Sequence, residues 1–412
     1  MKKLFKILFI IILSVGIVAL GFFVANKINE QVMIAYIDGF SPVEKDTVTG
    51  PEVDEDGSYY FTTDGEFKIL QLTDIHIGGG VISSGNDKMA LNAVAAMVRA
   101  EKPDLVVVTG DISFAIPTTG TLDNSYAHSF FIRLMERLGV YWTVTFGNHD
   151  SEKYNYHDRA AVAKMYEDES LVRCLFNSGS DDIFGECNHV INVKSTDGIV
   201  TKSLVMIDTN SYTEDDIFGL GWSYDRIHDD QIAWYEQTVE RIAGENASVY
   251  ELLSDEKKAE YDGFITPKTL VFMHIPIKEV KYAYEEYVNN NRQNTENTEY
   301  LGGHDGESDK VVYCPEEDED FFEVMSELGS GEALFFGHDH LNNFVLEYKG
   351  VTFSYGYSID YLAYSGISEL GYQRGCTVIS FTGTDAVAIT HENYYSDKYV
   401  STYPKETVEM TK

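Results

Sequence analysis

Five times along this chain an apolar run of strand length ends abruptly in Asp, Asn or His. Phe67–Leu72 runs into Thr73-Asp74-Ile75-His76, and Leu105–Thr109 into Gly110-Asp111. Tyr141–Phe146 runs into Gly147-Asn148-His149-Asp150, Leu270–Met273 into His274, and Ala333–Phe336 into Gly337-His338-Asp339-His340. Continuous β-branched and apolar runs bounded by turn residues read as buried strands. Helical patterns lie between them, at Lys88–Arg99, Ser129–Leu138, Asp230–Ile242 and Phe321–Leu328; a further strand reads at Leu204–Ile207. Such alternation argues for layered α/β packing. Two late hairpins, around Lys349-Gly350 and Gly383-Thr384, make the sheets mixed rather than purely parallel. In open α/β sheets ligands gather beyond the carboxyl ends of strands, where each motif sits.

The motif residues share one chemistry. Carboxylate, amide oxygen and imidazole are the donors that hold borderline-to-hard divalent cations. Asp74 and His76 alternate on an extended chain, as do His338 and His340, and Asp111 has two oxygens with which to bridge two ions. Singly, a histidine after a strand is usually structural and Gly-Asp is a turn. Five such motifs in order at strand ends have no comparable explanation. The formal charge of −36 points the same way. Such a field repels polyanions, so no nucleic-acid polymer is expected as partner. It also opposes any anionic substrate unless metal ions supply local positive charge.

Residues 1–25 form a separate unit. Lysines at 2, 3 and 6 precede Ile7–Ala25, an uncharged run close to the ~20 residues that a bilayer crossing needs. A signal-anchor, single-pass transmembrane helix is the first reading. A cleaved signal, with Ala19-Leu20-Gly21 as its site, is the alternative. Either puts the remainder outside the cytoplasm, by the positive-inside rule. Residues 26–66 read as an extracytoplasmic stalk, 67–395 as the catalytic domain, with 281–312 as a loop insertion, and 396–412 as a C-terminal tail. Cys174 and Cys187 are close enough to bridge, and four free thiols, with Cys314 and Cys376, are an equal alternative.

The order Asp-x-His, Gly-Asp, Gly-Asn-His-Asp, His, Gly-His-x-His resembles the calcineurin-like metallophosphoesterases over about residues 67–392. Gln71–His76, Asp230-Gln231 through Trp234-Tyr235, His274-Ile275-Pro276 and Gly337–His340 with Asn343-Phe344 are most similar to the purple-acid-phosphatase-like, Dcr2-type branch. The resemblance implies a four-layer α-β-β-α sandwich with two mixed sheets. It implies two divalent metal ions, Mn, Zn or Fe, with Asp74, His76 and His340 on one, Asn148, His274 and His338 on the other, and Asp111 bridging. His149 and Asn148 would meet the substrate, and His149 would protonate the leaving oxygen. The implied reaction is hydrolysis of phosphate esters by a metal-bridging hydroxide, with a phosphomonoesterase as the first expectation. A phosphodiesterase acting on nucleotides, lipid head groups or wall polymers is one alternative, and a non-catalytic metal-stabilised surface module another. One position departs from the purple enzymes: Phe114 stands where they carry a tyrosinate ligand to iron. Arg374, after Gly371-Tyr372, reads as a phosphate contact or, more simply, a salt-bridged arginine. The aromatic stretch Ser354–Tyr372 and Gly302-Gly303-His304 read equally as packing or as pocket wall.

Overall fold

Side chains alternate across the central strands, and the two faces of each strand find different partners. The computed structural model describes residues 2–45, 50–216, 218–307, 310–364, 366–367 and 374–406. In chain order these residues form α1 (Lys2–Asp38), β1 (Glu52–Val53), β2 (Tyr59–Thr62), β3 (Glu66–Leu72), α2 (Ser84–Glu101), β4 (Leu105–Thr109), α3 (Ser125–Leu138) and β5 (Tyr141–Thr145). Then come α4 (Arg159–Tyr166), β6 (His189–Lys194), β7 (Val200–Met206), α5 (Asp229–Leu252), α6 (Asp255–Tyr261), β8 (Lys268–Phe272), α7 (Lys278–Asn289) and β9 (Thr298–Gly302). The chain closes with α8 (Phe321–Glu327), β10 (Gly331–Phe336), β11 (Val345–Tyr348), β12 (Val351–Tyr355), β13 (Gly375–Thr382) and β14 (Ala388–Asn393).

A nine-stranded sheet runs β1-β2-β6-β7-β8-β10-β12-β11-β9, and a five-stranded sheet β14-β13-β3-β4-β5. Both are mixed: β3, β4 and β5 are parallel while β13 is antiparallel to β3, and β8, β10 and β12 are parallel while β11 is antiparallel to β12. Phe67, Ile69, Leu105 and Val107 face Met206, Leu270, Phe272 and Phe335 across the sheet interface. Their strand neighbours Leu70, Leu72, Val106 and Val108 turn outward beneath α2 and α3. On the other side Val271, Leu334 and Phe336 turn outward beneath α5, α7 and α8. Each fully buried side chain of this kind stabilises the fold by about 1.5–3 kcal/mol. The result is the expected helix–sheet–sheet–helix sandwich. The hairpin at Lys349-Gly350 also forms, with φ of 50° and 83° at its two central residues.

Two expectations about connecting segments are not met. Residues 26–66 are not a loose stalk: α1 continues unbroken to Asp38, Met33 and Ile37 are fully buried, and β2 pairs with β6. The packed half of α1 shows little periodicity because its buried face is only the narrow stripe Asn26, Asn29, Met33 and Ile37. Residues 281–312 are not merely a loop: α7 covers their first part, and β9 adds an edge strand to β11. α7 is amphipathic enough to bury Ala283, Tyr284 and Tyr287 despite the acidic, Asn-rich composition of the segment. Cys174, Cys187, Cys314 and Cys376 are all free thiols.

Candidate metal centre

The motif loops meet at the carboxyl ends of β3, β4, β5, β8 and β10. Asp74, His76, Asp111 and His340 bring one donor atom each to within 4.8 Å of one another. His76 Nε2 lies 3.3 Å and His274 Nε2 3.1 Å from Asp111 Oδ2, and His340 Nε2 lies 3.3 Å from Asp74 Oδ1. His338 packs edge-on to His274, with ring centroids 5.2 Å apart. Asn148 donates from Nδ2 to the Tyr212 hydroxyl at 2.9 Å, which leaves its Oδ1 turned the other way.

The backbone is bent hard to achieve this. Asp74, His76, Asp111 and His338 have φ of 49°, 51°, 53° and 73°, the left-handed region that non-glycine residues seldom adopt. Each costs roughly 1–3 kcal/mol, and the surrounding structure must hold it. Asp150 supplies much of that hold. Its carboxylate accepts from the backbone N–H of Asp111, Ile112, Ser113 and Gly147 at 2.8–3.0 Å, tying the β4 and β5 loops together. Gly110, at φ 81°, is required on two counts, because a Cβ there would stand 2.6 Å from His274 Nδ1.

The electrostatics suit cations. Asp111 is fully buried, which disfavours its charge, yet His274 and His149 hold its carboxyl well below the ordinary range. Asp74 is likewise buried but kept low by His340 and His274. Burial pulls His274 down, but Asp111 and Asp74 overcome it and push it up to about 9. Burial, then His274, drives His338 well below its ordinary value, so it stays neutral, the form that ligates metal. Asn148 Oδ1 and His338 Nε2 are buried with no hydrogen-bond partner, and His274 Nε2 faces only Asp111 Oδ2, at 3.1 Å. A buried polar atom without a partner costs about 1–3 kcal/mol. All three belong to the donor set expected for the second ion, and a cation would satisfy them together. The donors present therefore fit a dimetal centre.

His149 sits at the edge of this cluster, its side chain 24% exposed. Its backbone N–H donates to Asp111 Oδ1 at 2.8 Å, and its Nδ1 lies 2.8 Å from Glu152 Oε1. Phe114 stacks on His76 at 4.9 Å and meets His149 edge-on at 5.1 Å, so the tyrosinate position offers only a hydrocarbon ring. A groove of about 760 Å³, lined by Glu152, Lys153, Arg159, Tyr212, Tyr224 and Arg226 among others, opens beside the cluster.

Two site residues went unread in the sequence. Asp360 lies 3.3 Å from His76 Nδ1 and 3.6 Å from His340 Nδ1, so one carboxylate orients two imidazoles. It stands far downstream in an aromatic stretch, with no local signal. Glu152 was findable, as a carboxylate three positions after His149. Arg374 makes no outward contact. It is fully buried, donates from Nε to Ile359 O at 3.1 Å and Asp360 O at 2.9 Å, and pairs with Glu406 at 2.9 Å. It holds the backbone that carries Asp360. Its neighbours Gly371-Tyr372, and residues 407–412 of the tail, lie outside the described residues.

Among curated proteins, the chain is 27% identical over 340 residues to "Probable inactive purple acid phosphatase 14" of Arabidopsis thaliana, covering 77% of this chain and 76% of the relative. It is 23% identical over 313 residues to "Phosphatase DCR2" of Saccharomyces cerevisiae, covering 69% of this chain and 46% of the relative. A solved dimetal phosphatase from Danio rerio aligns with a TM-score of 0.47 at 12% identity, over 80% of this chain and 96% of that one. The family model for calcineurin-like phosphoesterase matches residues 67–353, the span that carries all five motifs, and the chain belongs to that family.

Proposed function

We propose that this chain is a metal-dependent phosphoesterase that hydrolyses phosphomonoesters. One observation supports this above the others: Asn148 Oδ1 and His338 Nε2 are buried without a hydrogen-bond partner beside the Asp111–His274 pair, with a histidine held at the exposed edge. In this reading Asp74, His76 and His340 hold one divalent cation, Asn148, His274 and His338 the other, and Asp111 lies between. When bound, such a pair supplies a water of lowered pKa and positive charge for the phosphoryl oxygens. Asp360 keeps His76 and His340 aimed, and Tyr212 keeps the Asn148 amide turned with its oxygen inward. Glu152 fixes the His149 ring through Nδ1, which directs Nε2 away from Glu152 and toward an ester's leaving oxygen, where it delivers a proton. The helix Lys2–Asp38 is long and apolar enough to cross a membrane; in this reading it does so once, with residues beyond it extracytoplasmic.

A second reading has one observation in its favour. Relatives of this chain are named probable inactive purple acid phosphatases, which suits a metal-stabilised surface module without turnover. The experiment is direct. The full chain, stripped with EDTA and reloaded with Mn, Zn or Fe(II), is assayed on aryl and alkyl monoesters and on a bis-aryl diester, with Asp111→Asn as blank. Restored monoester hydrolysis is expected. Turnover no higher than the blank with every metal sinks the proposal in favour of the binding module, and faster diester hydrolysis sinks the monoester assignment.

A further inference from the structure

The direction in which α1 leaves the domain bears on the substrate. Asn26 donates from Nδ2 to Gly120 O at 2.9 Å and accepts at Oδ1 from Val81 N at 2.8 Å. Asn29 reaches Gly80 O at 3.3 Å. These are the loops just before α3 and α2. Further along, the Tyr36 hydroxyl donates to Lys88 O at 3.3 Å, and Arg133 pairs with Asp38 at 2.7 Å. Arg137, near the end of α3, donates to Phe40 O at 2.7 Å. The packed half of α1 therefore runs parallel to α2 and α3. Its apolar half projects from the end where those helices begin, which is the end where β3 and β4 deliver Asp74 and Asp111. The candidate site opens on the same face from which the apolar helix leaves.

No linker separates the two. Ile7–Ala25 at 1.5 Å per residue spans about 28 Å, close to the ~30 Å hydrocarbon thickness of a bilayer. With that run in a bilayer, Asn26 would mark the boundary and bring the Gly80 and Gly120 loops level with the head groups. The same face exposes apolar side chains. Phe218, Leu220 and Trp222, on the loop whose Tyr212 holds Asn148, are 59%, 85% and 57% exposed, and Ile82 beside Gly80 is 59% exposed. Large apolar side chains clustered on a rim mark an interaction surface, and tryptophan favours the membrane interface. The acidity of the chain opposes anionic surfaces, so apolar insertion, not charge, would seat this face.

We propose that the catalytic face lies on the bilayer surface, with the Phe218–Trp222 loop inserted, and that the substrate is a phosphate ester carried by a membrane lipid. The proposal rests on the phosphoesterase reading above and on α1 crossing the membrane. Its test uses the metal-loaded full chain in phosphatidylcholine bilayers with phosphatidic acid as the lipid-borne monoester. Dihexanoyl phosphatidic acid is the soluble ester with the same head group. Phe218→Ser/Leu220→Ser should slow hydrolysis of the bilayer-borne ester at least about tenfold, the cost of losing two apolar anchors, and leave the soluble ester unchanged. Trp222 emission, isolated by subtracting the Trp222→Phe variant, should be quenched by brominated phosphatidylcholine. Equal loss on both esters, or loss on neither, overturns the substrate assignment. Unquenched Trp222 overturns the membrane placement and points to a protein partner at this loop. Inactivity of the parent chain on both esters is failure of the phosphoesterase reading, and the quenching still decides the placement of the face.

Discussion

Asp360→Asn isolates the residue that aims two ligating histidines at once. The Asp360 side chain is fully buried, 3.3 Å from His76 Nδ1 and 3.6 Å from His340 Nδ1. Burial opposes its charge, yet His76 and His340 hold its carboxyl below the ordinary range. Leu362 N and Ala363 N also donate to Oδ1, at 2.6 and 2.9 Å, and an asparagine oxygen can keep those two bonds. What the substitution removes is the charge and the Oδ2 acceptor, which faces His340 and also takes the Tyr364 N–H. Loss of such an outer partner typically costs 10–100-fold in metal affinity, or about 1.4–2.8 kcal/mol at 1.4 kcal/mol per tenfold. The effect should fall on one cation, because His274, His338 and Asn148 have no contact with Asp360. Competition titration of the stripped chain against a fluorescent chelator reads two dissociation constants. One should rise 10–100-fold and the other stay within error, and saturating metal should restore most of kcat. Unchanged affinity at both sites, or equal weakening of both, refutes the assignment of Asp360 to His76 and His340.

His149→Ala should keep both metals but slow hydrolysis by roughly 10²–10⁴-fold on alkyl phosphates, and less on nitrophenyl phosphate, whose leaving group needs little protonation; metal analysis and kcat on both esters check it, and metal loss contradicts it. Because Phe114 offers only a ring at the tyrosinate position, the iron-loaded chain should show no intense visible charge-transfer band; an absorption spectrum decides. Burial pushes the Glu319 carboxyl up to about 8 from an ordinary 4.5, so its contribution to stability is complete below about 4.5 and is lost as pH rises through 8. Glu319→Gln, which keeps an acceptor for Ile227 N, should therefore raise Tm at pH 8.5 relative to the parent and leave it little changed near pH 4.

The metal cluster was readable in the sequence because its residues sit immediately after buried strands, so local pattern and tertiary position coincide. β4 was located to the residue, since Leu105–Thr109 is short, β-branched and bounded by Pro103 and Gly110, which together mark a strand buried on both faces. Asp360 was invisible for the opposite reason. It reaches the centre through a turn held by Arg374, a long-range contact that leaves no periodic trace. β6 and β9 were missed because His189–Lys194 and Thr298–Gly302 carry polar residues whose place is fixed only by pairing with β7 and β11. The packed half of α1 was hidden by its Asn, Lys and Glu residues, although Asn26 and Asn29 satisfy loop groups rather than solvent.

The point at which α1 begins to pack also separates two kinds of proteolytic processing. A cut near Ala19-Leu20-Gly21 falls upstream of Asn26 and removes only residues that touch nothing in the domain. A soluble product of that cut would keep Met33 and Ile37 in place and lose no folding free energy. A cut just past Asn29 already removes the Asn26 and Asn29 bonds to the Gly80 and Gly120 loops, and a cut past Ile37 strips Met33 and Ile37 from the α2–α3 surface, at about 1.5–3 kcal/mol each. Shedding of an intact domain is therefore confined to the first of these windows, and trimming past it trades release for instability.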